Sequence, residues 1–291
     1  MNRKRLGGWL LGPRVAWFLA SAFFSLAACG TNERSPELRL YEFDCGRLEY
    51  ESPEASGFGV RDDATSVREL FVPCNLIEHP EGRLLWDGGL SSAWAAEDGW
   101  VERAGWRLRL DRTLSGQLAD IDLTFDSLDY VAFSHMHFDH VGVANEIRGA
   151  TLLIQEEESE AAFAEDVEVP GFDPSLYDGL KGLEWVVLNG DHDVFGDGTV
   201  QILALPGHTP GHQGLYVSLS EEGPVVLAGD LYHFRLSREQ RIVPSFNVDA
   251  DETLRSMDLL EAFLVETGAT LWIEHDLARY TETTAPDGYH H

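Results

Sequence analysis

The sequence predicts one α/β domain, and three observations carry that reading. Short β-type apolar runs, broken by Gly, Pro and Asp, recur from Leu38 onward. The stretch Asp251 to Thr267 spaces Leu254, Met257, Leu260 and Leu264 along one face of a helix. No structureless linker of 12 or more residues divides the chain, so strands and helices alternate without a break. Its 291 residues suffice for one large domain or two small ones, and 44% apolar content supplies a sizeable core.

The N-terminus comes first. A basic stretch, Met1 to Arg14, precedes the apolar run Val15 to Ala28, whose 14 residues are too few to span a bilayer comfortably. That is the layout of an export signal. Its end, Leu26-Ala27-Ala28-Cys29, resembles a bacterial lipoprotein signal, in which the cysteine is lipidated. The expected organisation is a signal peptide over 1–28, a polar tether over 29–38 and a hydrolase domain over 39–285. An ordinary secretory signal or a single membrane anchor is the alternative. Gly30, rather than Asp, follows Cys29, which points to the outer membrane if the host is Gram-negative. Cys45 and Cys74 then remain; they either pair in an oxidising compartment or stay as buried thiols, and spacing does not decide.

Glu69 to Ile77 and Arg83 to Trp86 read as a strand pair joined at His79-Pro80-Glu81-Gly82. Residues 90–118 resist placement and carry Trp94, Trp100 and Trp106. Asp129 to Phe133 is a buried-strand pattern, Thr151 to Ile154 a strand, and Glu156 to Phe163 an acidic helical stretch. Further strands are expected at Trp185 to Leu188, Thr199 to Leu205, Gly214 to Leu219, Val225 to Ala228 and Thr270 to Ile273.

Charge narrows the partners. Fifty acidic against 21 basic residues give a net charge of −29. Such a surface repels phosphate backbones and anionic membrane faces, which excludes nucleic acid as a partner and disfavours polyanionic substrates.

The chemistry is concentrated in Ser134-His135-Met136-His137-Phe138-Asp139-His140, directly after an apolar strand. Three imidazoles and a carboxylate within six residues are too polar for a core. Leaving a strand, His135 and His137 can face one way while Asp139 and His140 face another, serving two adjacent cations. Imidazole with carboxylate suits zinc, and also iron, cobalt or manganese. A structural zinc site would use thiolates, and none lies nearby, so an open catalytic site is expected.

This H-x-H-x-D-H motif resembles the metallo-β-lactamase superfamily, and the likeness continues in order. Pro206 to His212 looks like the next ligand loop, with His208 as the ligand; Ala228-Gly229-Asp230 matches the bridging carboxylate; Glu274-His275-Asp276 supplies the last histidine. The resemblance implies an αββα sandwich of two mixed sheets flanked by helices. It implies His135, His137 and His208 on one divalent ion, Asp139, His140 and His275 on the other, and Asp230 between them. Such a pair generates hydroxide at neutral pH for attack on a polarised carbonyl, with Asp139 orienting the nucleophile. His212 reads as a structural loop residue, and His79, His192, His290 and His291 as solvated.

Within the superfamily the chain is most similar to N-acyl homoserine lactonases, the quorum-quenching enzymes. Leu40 to Gly46, Val72 to Pro80, Leu84 to Gly89 and the histidine motif carry that likeness over roughly residues 39–280. It implies opening of a lactone ring and a small acyl lactone or ester as substrate, with a homodimer in view. Those lactonases place a substrate-contacting tyrosine three residues after the bridging aspartate. Here that position is His233, preceded by Tyr232; either His233 donates a similar hydrogen bond or Tyr232 turns in. Phe138, between ligands, is the leading candidate for an apolar acyl pocket, with Trp94, Trp100, Trp106 and Phe234 behind it. The rivals are a glyoxalase II-like thioesterase or other esterase, a phosphodiesterase, and a non-catalytic metal-binding envelope lipoprotein.

Overall fold

A computed structural model describes residues 37–96, 99–103, 106–283, 285 and 288–291. The signal segment 1–28, Cys29 and most of the tether lie outside the described residues. Among those described, no helix is long and apolar enough to cross a membrane.

The first sheet contains β1 (Arg39–Glu49), β2 (Glu69–His79), β3 (Gly82–Trp86), β4 (Val101–Arg103), β5 (Trp106–Arg109), β6 (Tyr130–Ala132), β7 (Thr151–Gln155) and β8 (Glu184–Leu188). Their order is β4-β5-β1-β2-β3-β6-β7-β8, antiparallel as far as β3 and parallel from β3 to β8. The second sheet has β9 (His192–Asp193), β10 (Val200–Ala204), β11 (Gln213–Leu219), β12 (Gly223–Leu227) and β13 (Thr270–Trp272), with β12 and β13 parallel. Helices are α1 (Leu114–Ala119), α2 (Glu156–Ala162), α3 (Pro174–Tyr177), α4 (Arg235–Gln240), α5 (Ala250–Thr267) and α6 (Leu277–Thr283).

The layering follows from the two-residue side-chain period of strands. Leu84 and Trp86 of β3 point into one cluster with Ile202, Leu215, Val217 and Leu227, where the two sheets meet. Leu85, Leu152 and Ile154 point the opposite way, onto Leu114 and Leu118 of α1 and Ala162 of α2. On the far side, Met257, Leu260 and Leu264 of α5 cover Leu203 and Val226 of the second sheet and Ala228 just beyond β12. That is helix, sheet, sheet, helix, as the resemblance implied. Each fully buried Leu or Met contributes about 1.5–3 kcal/mol, so these faces fix the sandwich. The Asp249 carboxylate caps α5 by accepting from Glu252 N–H at 2.8 Å, and Gly268, at φ 69°, ends it in the left-handed conformation.

Cys45 and Cys74 are joined in a disulfide, with Cα atoms 5.7 Å apart. It crosslinks β1 to β2 and closes a 29-residue separation, worth about 3–4 kcal/mol on a loop-entropy argument. Residues 90–118 contain the β4–β5 hairpin and α1.

Two expectations for histidines are corrected. His79 and His290 are buried, 4% and 3% exposed, not solvated. His79 ends β2 rather than standing in a turn; it stacks on Phe195 and its Nε2 lies 3.1 Å from Asp197. His290 exchanges backbone hydrogen bonds with Leu40 at 2.8 and 2.9 Å and places Nδ1 2.8 Å from Glu222. A carboxylate partner and an aromatic neighbour offset the loss of water for each ring.

Candidate metal centre

The fold gathers side chains from four separate loops at one end of the two sheets. His135, His137, Asp139 and His140 leave the end of β6, and His208 sits between β10 and β11. Asp230 follows β12 and His275 follows β13; because those strands run parallel, both emerge at the same end. Gly229 gives the chain the sharp turn that aims Asp230. Its φ is +53°, and a Cβ there would approach His212 Nε2 to 2.6 Å.

The donor atoms form two groups. His135 Nε2 lies 2.8 Å from His137 Nδ1, and His208 Nε2 lies 3.2 and 3.1 Å from those two atoms. Asp139, His140 and His275 form the second group, with Asp139 Oδ2 3.9 Å from His140 Nε2 and 3.8 Å from His275 Nε2. Asp230 reaches both. Its Oδ2 is 3.2 Å from His208 Nε2 and its Oδ1 is 2.8 Å from His275 Nε2 and 3.3 Å from His140 Nε2. The seven side chains expected from the sequence are therefore all in one place.

The outer nitrogens explain why the inner ones converge. His137 Nε2 lies 2.9 Å from Pro170 O, His208 Nδ1 2.9 Å from Asn247 Oδ1, His140 Nδ1 2.8 Å from Asp87 Oδ2, and His275 Nδ1 2.6 Å from Phe71 O. Each acceptor holds a proton on the outer nitrogen and turns the lone pair of the other inward. Burial, reinforced by neighbouring imidazoles, pushes the pKa of His135 and His137 well below the usual range, so both are neutral donors. Burial disfavours charge on Asp230 too, but the surrounding imidazoles outweigh it and hold its carboxyl well below the usual carboxylate range. For His275 burial is overcome by Asp230 and Asp139, which raise it to about 9; for His140, Asp87 and Asp230 outweigh burial and hold it well above the usual imidazole range.

These residues fit two cations. His140 Nε2 and Asp230 Oδ1 are buried, 3.3 Å apart and without a well-aligned hydrogen bond, the condition a shared cation relieves. Nitrogen and oxygen donors without thiolate suit zinc or a neighbouring first-row metal.

Asp87, which the sequence analysis covers only within the stretch Leu84 to Gly89, supports the donor set. It is fully buried at φ 59°, and its carboxylate accepts from Ser134 N–H at 2.6 Å and Ser134 Oγ–H at 2.9 Å besides holding His140. An aspartate followed by two glycines at the end of an apolar strand was the available signal. Asn247, from the loop before α5, had none. His212 is structural, as expected: Nδ1 lies 2.9 Å from Leu205 O and Nε2 accepts from Asp230 N–H at 3.0 Å.

The two substrate-contact candidates separate. Tyr232 does not turn in; its ring is buried among the α5 cluster and its hydroxyl lies 3.2 Å from Glu261. His233 faces the centre, but its Nε2 is 3.1 Å from Asp230 Oδ2, so it braces that carboxylate. An apolar pocket of about 220 Å³ opens over the centre, with Asp139, Asp230, His137 and His275 at its floor and Phe58, Trp106, Phe138 and Phe246 among its walls. Of the aromatic candidates, Trp106 and Phe138 line this pocket. Trp94 lies behind Phe138, Trp100 lies under Arg107 and Arg109, and Phe234 lines a neighbouring cleft of about 810 Å³. Phe58 and Phe246 come from loops whose approach no periodicity encodes.

The comparisons with known proteins agree with this geometry. The Metallo-beta-lactamase superfamily profile matches residues 67–267. The chain belongs to the metallo-β-lactamase superfamily. Among its relatives, the N-acyl homoserine lactonase AttM of Azorhizobium caulinodans is 30% identical over 264 residues, covering 87% of this chain and 99% of that one. The N-acyl homoserine lactonase AiiA of Bacillus thuringiensis subsp. kurstaki is 27% identical over 230 residues, 74% of this chain and 88% of that one. A solved N-acyl homoserine lactone hydrolase, with the product N-hexanoyl-L-homoserine at its catalytic metal centre, superposes with a TM-score of 0.72. It is 24% identical and covers 86% of this chain and 98% of that one, which places the superfamily's fold over nearly the whole domain.

Proposed function

We propose that the chain is a dinuclear-metal lactonase that opens the ring of N-acyl homoserine lactones. The observation that carries this is the double donor set joined through Asp230 at the floor of an apolar pocket, in a chain that matches lactonases across almost their full length. His135, His137 and His208 would hold one cation and Asp139, His140 and His275 the other, with Asp230 within reach of both. Zinc suits the donors, as do iron, cobalt and manganese. When bound, the pair lowers the pKa of water towards neutrality and polarises a carbonyl.

The chain's own residues do the rest. Phe138 and Trp106 seat the acyl chain and exclude bulk water. Asp139 orients the attacking water from the pocket floor. His233 holds Asp230 in its bridging orientation, a role a tyrosine hydroxyl at the same position need not play. That substitution also favours a second reading, a metal-dependent esterase or thioesterase with a different carbonyl partner.

Proton release from short- and long-chain N-acyl homoserine lactones, with the domain from Thr31, tests the assignment. We expect turnover that dipicolinate abolishes and added metal restores. Two bound metals with turnover of simple esters or thioesters alone would discard the lactone.

We further infer that the protein is exported and lipid-anchored through Cys29. The basic-then-apolar N-terminus supports this, and the Cys45–Cys74 disulfide suits an oxidising compartment. Cys29→Ala is expected to move the protein from the detergent phase to the aqueous phase on partitioning. Continued membrane association would remove the anchor.

A further inference from the structure

Two of the loops that meet at the centre belong to different sheets, and one side chain ties them together. Glu158, in the first turn of α2, is 2% exposed. Its Oε1 accepts from Met136 N–H at 2.9 Å and its Oε2 from Gly211 N–H at 2.9 Å. Met136 stands between His135 and His137, on the loop after β6 of the first sheet. Gly211 closes the turn that carries His208, between β10 and β11 of the second sheet. Each carboxylate oxygen thus holds one ligand loop.

The contact is too close to be incidental. A Cβ on Gly211 would come within 2.5 Å of Glu158 N and 2.6 Å of Glu158 Cβ, so the His208 loop rests directly on α2. The base of α2 is itself braced. Gln155 donates to Gly190 O at 3.0 Å and to Gln213 Oε1 at 3.2 Å, and Gln213 donates to Phe133 O at 2.9 Å. His140 and His275 draw their support elsewhere, from Asp87 and Phe71 O.

We propose that Glu158 is a positioning residue that sets the spacing of His135 and His137 against His208, and so tunes one of the two cation sites without the other. This rests on the two-cation reading above. A carboxylate is the group that can serve here, because both partners are donors and both of its oxygens accept. Glutamine keeps the volume but turns one of the two positions into a donor facing an N–H.

The test compares wild type and Glu158→Gln by stepwise zinc titration against a competing chelator, with amide NMR of the metal-free proteins. Expected are one zinc dissociation constant weakened about 10- to 100-fold, the other changed less than about threefold, and an upfield move of the Met136 or Gly211 amide proton. Both constants unchanged, or both weakened alike, would overturn the clamp. A wild type that binds fewer than two zinc ions would instead sink the two-cation reading. Should Glu158→Gln not fold, Glu158→Asp, which keeps both acceptors but shortens the reach, is expected to give the same one-sided weakening.

Discussion

Asp230→Asn is expected to lower the rate of lactone hydrolysis by about 10³-fold or more and to loosen both cations. Asp230 reaches both donor groups, with Oδ1 toward His140 and His275 and Oδ2 toward His135 and His208. Asparagine keeps the shape but presents one oxygen and one NH₂, so one cation loses a ligand and meets a donor instead. Polarisation by a bound metal is worth several kcal/mol of barrier, and each 1.36 kcal/mol is about tenfold in rate. Metal analysis and kcat/KM on one preparation check it. Two tightly held metals with full turnover would refute the bridging role.

The second large effect is expected at a residue that touches no substrate. Asp87→Ala orphans Ser134 N–H in a fully buried site and leaves His140 Nδ1–H with only Ser134 Oγ, 3.1 Å away, as acceptor. An orphaned buried group costs about 1–3 kcal/mol, a sizeable share of the 5–15 typical of a domain. His140 also loses the acceptor that fixes its tautomer, which lowers metal affinity by about 10- to 100-fold. Chemical denaturation with and without metal separates the two effects. An unchanged midpoint in the metal-free protein would show that the network around Asp87 does not stabilise the fold.

The two outcomes reflect what the sequence can carry. Ligands crowded into a short motif, such as His135 to His140, are legible because so many polar groups after an apolar strand have no other use. His208, Asp230 and His275 became legible through family order rather than local pattern. The supporting acceptors were not. Pro170 O and Phe71 O are backbone atoms with no residue signature, and Asn247 reaches His208 only because α5 packs where it does. Strands and the long helix were readable because their periods are 2 and 3.6. The β4–β5 hairpin was harder, although Trp106-Arg107-Leu108-Arg109-Leu110 alternates cleanly. Its flanking tryptophans and glycines masked the signal, and β5 pairs with β1 as well as with β4. His79 and His290 misled because a ring near a turn or a terminus looks solvated until its distant partners are in place.

The ligands are also spread along the chain, with His275 lying 140 positions after His135. No early fragment of the polypeptide contains a complete site for both ions, since the last donor follows β13. A complete site for both ions therefore exists only once the chain extends past β13 to His275. If the chain is exported, as proposed above, and crosses unfolded, the ions would come from the destination compartment, and the metal bound would be set by what that compartment supplies as much as by the donors themselves.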